Sequence, residues 1–261
     1  MRNARRSRLA AVVTAGIAAP ALVLSVASAF AQAAPAHYRQ LDGSGLISVL
    51  PGVTEAPAWF GKSTQADTNS AVPTQGLLIC TVGAGALQES DEQTEIRGPQ
   101  AQLAAYSFVN FGRFPSGGYS NMISRISQFP SAADAAKAWA SLVVASRKCS
   151  GSWSLPYPAT NDTFDGRQAV RQTVSAGDAL FGSRSLVITS VSSGTRNGAA
   201  TPDRTGGSLT VWRHLGNVIY HVEYTKVVQR DVSSAISVAD RMTIATLSAL
   251  TAERYISLAA G

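Results

Sequence analysis

The residues best suited to chemistry lie in one short stretch of the second half of the chain. Trp212, His214, His221 and Glu223 bring together an indole ring, two imidazoles and a carboxylate. Small-molecule pockets are usually apolar with a few polar groups, which is the mixture found here. Two imidazoles and a carboxylate are also ligands for a divalent metal. The stretch is therefore the first candidate for a binding site.

A β-hairpin would bring these four residues to one face of a sheet. Gly216-Asn217 separates two strand-like runs, and glycine at the first position suits a type II′ turn. The implied register pairs Trp212 with His221 and makes the two histidines diagonal neighbours, about 7–8 Å apart at the backbone. With Arg213 as the one misfit, the opposite face carries apolar and tyrosine side chains, and it is predicted to face the core: Leu209, Val211, Leu215, Val218, Tyr220, Val222 and Tyr224.

Three interpretations of the mixed face stay open. We favour a ligand-binding surface formed by Trp212, His214, His221 and Glu223. A metal site is less specific, because strand spacing lacks the definition of a paired helical histidine motif. The third interpretation is the solvent-facing side of an antiparallel sheet, where polar residues are expected. We predict neither a metal nor a cofactor.

Motifs typical of enzymes are absent from the sequence. The stretch 117–121 approaches the nucleophile pattern G-x-S-x-G and misses it, and H-E-x-x-H, P-loop and G-x-G-x-x-G patterns do not occur. A Ser/His/Asp site assembled from distant residues is the alternative, since triad order is not fixed by sequence. No catalytic residue is assigned.

The hydrophobic patterning predicts an α+β fold, an antiparallel sheet packed against two main helices. Ser131 with Asp134 predicts a helix to near Lys148, and Asp231 is predicted to cap a last helix that ends near Leu258. The apolar face of the first helix is predicted to contain Ala132, Ala136, Trp139 and Val143. Residues 150–166 are predicted to form a loop, and strands are predicted over 119–129, 167–175, 184–192, 207–215 and 218–225.

The first 33 residues have the pattern of an export signal. Four arginines precede an uncharged run over 9–30, and Ala31-Gln32-Ala33 is a small-x-small site. The run is long enough to be a retained membrane anchor, but its alanine content and Pro20 favour cleavage after Ala33. We therefore expect a secreted protein without a stable membrane span. Residues 34–75 are predicted to form a Pro/Gly/Ser-rich arm with one short helix, and residues 76–261 a single domain.

Removing the signal changes the meaning of the charge. The full chain has 22 basic and 16 acidic residues, a net charge of +6, and all four basic residues of the signal are arginine. The part that follows residue 33 is therefore only slightly basic, and nucleic acid is not an expected partner. The expected partner is an unknown small molecule or a cell-envelope component.

Cys80 and Cys149 are the two cysteines of the chain. In an oxidising compartment an even pair is most simply one disulfide. The alternative is a catalytic or metal-binding thiol, but neither cysteine has a second cysteine or a histidine nearby in sequence. The predicted bridge would tie the end of the Ser131 helix to the segment around Cys80.

The segment from Ile126 through Phe129, Ser131 and Trp139 to Cys149 resembles a known family. It is similar to the extracellular sensor domains of actinobacterial receptor-type Ser/Thr kinases of the protein kinase H type, and to their secreted and lipoprotein relatives. The resemblance implies an α+β domain with a groove for an extracellular ligand and no catalytic residues. The function expected is a secreted, non-enzymatic ligand-binding or sensor-like domain. An envelope interaction protein tethered through residues 34–75 is a further hypothesis.

Overall fold

The computed structural model describes residues 38–55, 65–83, 93–113, 118–156, 167–182, 184–194, 204–229 and 236–260. The predicted signal peptide lies outside the described residues, and so does Asp231. Among the described residues no helix is long and apolar enough to cross a membrane.

Ten strands and three α-helices form the described fold. The strands are β1 Gln65–Ala71, β2 Leu78–Gly83, β3 Gln93–Arg97, β4 Leu103–Arg113, β5 Tyr119–Gln128, β6 Gly151–Pro156, β7 Arg167–Ala176, β8 Ser185–Gly194, β9 Arg204–Leu215 and β10 Val218–Gln229. The helices are α1 Gly43–Val49, α2 Ala132–Ser146 and α3 Val238–Ala259, and a 3-10 turn, Arg147–Cys149, follows α2.

Eight strands form one antiparallel sheet in the order β1-β4-β5-β10-β9-β8-β7-β6, and β2 and β3 form a separate antiparallel pair. The predicted α+β class, the antiparallel sheet, its two main helices and its single disulfide are confirmed. Each of the five predicted strands is present, and β9 and β10 are longer than the patterning indicated.

The β2–β3 pair and both edge strands of the large sheet were not predicted from the sequence. Within the predicted loop 150–166, Gly151–Pro156 pairs with β7 as the last strand of the sheet. Within the predicted arm, Gln65–Ala71 pairs with β4 as the opposite edge strand. Both are edge strands, which need apolar residues on only one face and so give weak alternation.

The predicted short helix in the N-terminal segment is present as α1. Asp42 caps it, since its carboxylate accepts a hydrogen bond from the Gly45 amide at 2.7 Å. Leu46 and Val49 of α1 are fully buried against the sheet and α3. The described part of this segment is therefore packed onto the domain.

Helices cover both faces of the sheet. On one face α3 packs on side chains such as Val109, Met122, Val211 and Val222, and α1 packs beside α3 on Ala105 and Ile126. On the other face α2 and the β2–β3 pair pack on Leu186, Ile188, Trp212 and Ile219. The hairpin β9–β10 lies near the middle of the sheet and is covered on both faces.

The buried face of α2 differs from the predicted one. Ala135, Ala138, Leu142 and Ser146 are buried, whereas the predicted members Ala132 and Ala136 are exposed and Trp139 and Val143 are half-buried. Because alanine occurs on every side of this helix, its apolar stripe could be drawn along more than one line.

The start of α3 also differs from the prediction. The helix begins at Val238, and its N-cap is Ser237 rather than Asp231. The Ser237 hydroxyl accepts from the Asp240 amide at 3.1 Å, and the Asp240 carboxylate accepts from the Ser237 amide at 2.8 Å. This reciprocal pair is a capping box with aspartate in place of the usual glutamate.

The disulfide joins Cys80 in β2 to Cys149 at the end of the 3-10 turn, with Cα atoms 6.0 Å apart and a sequence separation of 69. The bridge ties the β2–β3 pair to the end of α2. Both elements that cover the second face of the sheet are thereby joined covalently.

Candidate functional site

The hairpin that carries the predicted site has the predicted register. Trp212 pairs with His221, and His214 pairs with Ile219. Gly216 in the turn has φ +55°, a conformation that glycine adopts without strain. The turn lies against Tyr38, whose ring an added Cβ at Gly216 would overlap.

Two of the four predicted site residues are inside the protein. Trp212 is 1% exposed and His221 is 4% exposed, and their rings lie 4.1 Å apart, centroid to centroid. Trp212 belongs to the core cluster that includes Leu142 of α2. Trp212 and His221 are therefore covered on this face, on which α2 packs. Alternation shows which residues share a face, but not what covers that face.

His214 and Glu223 are half-buried at the border of the same face. The His214 Nε2 lies 3.0 Å from the Gly216 carbonyl oxygen, and the ring stacks on Trp139 of α2 at 6.2 Å. Burial lowers the pKa of His214. Burial raises the pKa of Glu223, whose carboxylate accepts a 3.4 Å hydrogen bond from Thr225.

Within the described ranges, the structure does not provide the arrangement of side chains that a metal site or a Ser/His/Asp site would need. There, no three histidine, cysteine, aspartate or glutamate side chains converge as a metal site would require. No described serine hydroxyl is hydrogen-bonded to His214, whose ring bonds to a backbone carbonyl. The Nδ1 atom of His221 is buried and has no hydrogen-bond partner among these residues.

Beside the covered hairpin, strand pairing places a polar row across the sheet. Asn69 pairs with Tyr106, Tyr106 with Arg125, and Arg125 with His221, which in turn pairs with Trp212. The row therefore passes from edge strand β1 to the buried pair under α2. Cross-strand neighbours of this kind are close enough for their side chains to interact directly.

The outer part of this row lies in a cleft of about 260 Å³. Its floor is formed by β1, β4 and β5, and one wall is formed by the segment from Pro73 to Leu78 with Arg97 of β3. Its lining mixes apolar groups with a few polar side chains: Asn69, Ser70, Ala71, Pro73, Thr74, Gln75, Gly76, Leu77, Leu78, Arg97, Ala104, Ala105, Tyr106, Arg125 and Ser127. None of the lining side chains is a carboxylate.

The arginines of the cleft differ in their partners. Arg97 donates to the Glu95 carboxylate at 2.9 Å from Nε and to the Gly76 carbonyl at 3.0 Å. Arg125 is half-buried, and it has neither a hydrogen-bond acceptor nor an ion-pair partner within the described part of the chain.

Sequence reasoning missed the cleft and its residues. Arg125 is the one charged residue of β5 and could have been noticed as a charge in a β-prone run. Tyr106 lies on the preceding strand, whereas Asn69 comes from β1, which is distant in the chain and was not predicted. Only the strand order brings the three residues together.

Comparison with known proteins finds a similar solved structure, but no matching family model and no matching curated protein. The fold is similar to the crystal structure of the extracellular domain of PknH from Mycobacterium tuberculosis, with a TM-score of 0.49 and 10% sequence identity. The match covers 84% of this chain and 99% of that one. The chain thus bears a weak resemblance to the fold of that domain, and its function has to be argued from the site itself.

Proposed function

We propose that this protein is a secreted, non-enzymatic ligand-binding or sensor-like domain of the cell envelope or extracellular space, and that its ligand occupies the cleft beside Tyr106 and Arg125. The observation that carries the proposal is the cleft itself, which combines an apolar wall, a polar floor and an arginine that has no acceptor among the described residues. Such a mixture is typical of small-molecule sites.

The proposed location rests on the sequence of the first 33 residues and on the disulfide. A bridge between Cys80 and Cys149 suits an oxidising compartment. We expect the exported protein to begin at Ala34. Mass spectrometry of the protein recovered outside the cell would check the cleavage site, and a chain that retains residues 1–33 in the membrane would contradict it.

The position of the cleft favours binding over a merely structural gap. Tyr106 and Arg125 lie on central parts of β4 and β5, which are fixed by ladder hydrogen bonds on both sides. Sites on strands hold their geometry better than sites on loops. The volume, about 260 Å³, falls just below the usual range of about 300–1,000 Å³ for ligand pockets. A small ligand or one group of a larger ligand would fit.

Among the four residues predicted from the sequence, Trp212 and His221 would support the site rather than touch the ligand. They pack behind Arg125 and fix the position of β10 beside β5. Glu223 and His214 lie at the border of the same face and are the two that a larger ligand could reach.

The experiment is a binding screen against small molecules and cell-wall fragments, with a variant that fills the cleft. Ala104 lines the cleft, so Ala104→Phe should remove binding of every compound that uses it. Ala169 is exposed on β7 of the same sheet, and Ala169→Phe is the matched control that should keep binding. A screen without any bound compound, or equal binding by Ala104→Phe and the unmodified protein, would overturn the proposal.

A further inference from the structure

The geometry points to a ligand that carries an oxyanion group, a carboxylate or a phosphate, and to the guanidinium of Arg125 as the group that holds it. The inference rests on the proposed function, since it assumes that the cleft is the binding site. It adds the chemical class of the ligand and the residue that selects it.

The first argument is the state of Arg125. Its side chain is half-buried in the cleft, and none of the ion pairs or hydrogen bonds among the described residues includes it. A guanidinium has five N–H donors, and no nitrogen of Arg125 is among the buried side-chain atoms without a partner, so these donors face the open cleft. An anion in the cleft would accept hydrogen bonds from them.

The second argument is that the neighbours of Arg125 do not neutralise it. On β10 its partner is His221, whose pKa is lowered to about 3 by burial and by the charge of Arg125, so the imidazole is uncharged at neutral pH. On β4 its partner is Tyr106, whose hydroxyl donates to Asp67 at 3.1 Å. That hydrogen bond raises the pKa of Tyr106 and keeps the phenol neutral.

The acidic groups near the cleft are used elsewhere or are too distant for a contact. Asp67 accepts from Tyr106, and Glu95 is paired with Arg97. Glu223 is the nearest acid on β10, a diagonal neighbour of Arg125, but it forms no ion pair within 4.0 Å. Burial raises the pKa of Glu223, while the hydrogen bond from Thr225 and the charge of Arg125 act in the opposite direction.

The third argument is the charge of the lining. Arg125 faces a cleft whose lining includes no carboxylate, and Arg97, the other guanidinium of the lining, is already paired with Glu95. A planar guanidinium matches a carboxylate or phosphate with two parallel hydrogen bonds, so it selects oxyanions by geometry as well as by charge. The apolar wall at Leu77 and Leu78 would receive an uncharged part of the same ligand.

The test uses three probes that share one ring: benzoate, phenyl phosphate and uncharged benzamide. The full chain is expressed with its own N-terminus, purified as the cell processes it, and titrated at constant ionic strength by ligand-observed NMR. We expect benzoate, phenyl phosphate or both to bind more tightly than benzamide, and the two anions to separate a carboxylate from a phosphate preference.

Variants assign the effect to Arg125. Arg125→Gln should weaken binding of the anion by about tenfold or more, the value of a charged hydrogen-bonded contact. Arg125→Lys should recover part of the loss, since it keeps the charge and lacks the paired donors. Arg171 is exposed on β7, and Arg171→Gln is the matched control that should leave binding unchanged.

A measurement on the unmodified protein tests the inference without relying on the folding of a variant. The Arg125 Nε–Hε resonance should shift on adding benzoate or phenyl phosphate and should not shift with benzamide. Equal affinity for the three probes, or an anion affinity that survives Arg125→Gln, would overturn the inference while leaving the cleft as a binding site. Failure of all compounds in the wider screen would instead overturn the proposed function.

Discussion

The two faces of the hairpin β9–β10 are both buried, yet they differ in chemistry. The face under α3 carries Val211 and Val222, packed with Ile244 in an apolar cluster. The face under α2 carries Trp212 and His221, next to the charged Arg125 of β5. The same alternating strands thus present a dry core on one side and the edge of a polar site on the other.

The difference follows from the lengths of the covering elements. Helix α3 has 22 residues and, together with α1, covers its face across the central strands. On the opposite face α2 has 15 residues and covers β9 and β10, while among the described residues the cleft over β1, β4 and β5 is bordered by the segment that leads into β2 and by Arg97 of β3. The cleft lies where that cover is incomplete. We therefore propose that the ligand binds at the end of this cover and not under it.

Among the tests of this comparison, removal of the disulfide is expected to have the largest effect on stability. Replacing both Cys80 and Cys149 by serine should cost about 4 kcal/mol of unfolding free energy for a loop of this length, the sequence separation being 69. Urea unfolding would measure the total loss. Amide hydrogen exchange would then locate it, and we expect faster exchange in α2 and β2 than in α3.

Equal acceleration of amide exchange in α2 and α3 would contradict the comparison, because the disulfide is joined to the end of α2 and not to α3. The unmodified protein treated with a reductant is the control, because it opens the same bridge without changing any side chain volume.

Local sequence patterns predicted the alternating faces of the hairpin strands and the turn between them. They did not predict which helix packs over each face. The Gly216 turn and the β9–β10 register could be predicted because a two-residue loop fixes the pairing of the strands that it joins. The burial of Trp212 could not, since it depends on where α2 packs. The Asn69–Tyr106–Arg125 row depends on the pairing of β1 with β4, two strands that β2 and β3 separate in the chain, and local patterns do not specify that pairing.

The second test is the pH dependence of the unfolding free energy that is due to His221, which lies on the face under α2. Burial, and then the charge of Arg125, lower the pKa of His221 in the folded protein to about 3, from the ordinary 6.5. Between these values the unfolded chain binds a proton that the folded chain does not. Stability should therefore fall as the pH falls from 6.5 towards 3, by up to about 1.4 kcal/mol per pH unit from this residue.

The difference in unfolding free energy between the unmodified protein and His221→Gln, followed against pH, isolates this contribution. His214→Gln removes a half-buried histidine and is the matched control, which should keep most of the slope. A slope that is unchanged in His221→Gln would show that this imidazole is protonated in the folded protein or accessible to water.

The smallest effect is expected at the N-caps of α2 and α3, the helices that pack on the two faces of the sheet. Ser237 forms a reciprocal capping box with Asp240, and we expect Ser237→Ala to cost about 1–2 kcal/mol. At the start of α2, Ser131 accepts from the Asp134 amide at 3.1 Å without the reciprocal bond, so Ser131→Ala should cost less, about 1 kcal/mol. Chemical denaturation measures both, with exposed Ser141→Ala as the control. The reverse order would contradict the comparison.

The most direct test of the central claim is where a bound ligand lies. Intermolecular nuclear Overhauser effects between a compound from the binding screen and the protein distinguish the two places that compete for it. We predict contacts with the Tyr106 ring and the Ala104 methyl group, which line the cleft and lie outside the buried cluster around Trp212. Contacts with the rings of Trp139 and Trp212, and none with Tyr106, would place the ligand under α2 and contradict the account.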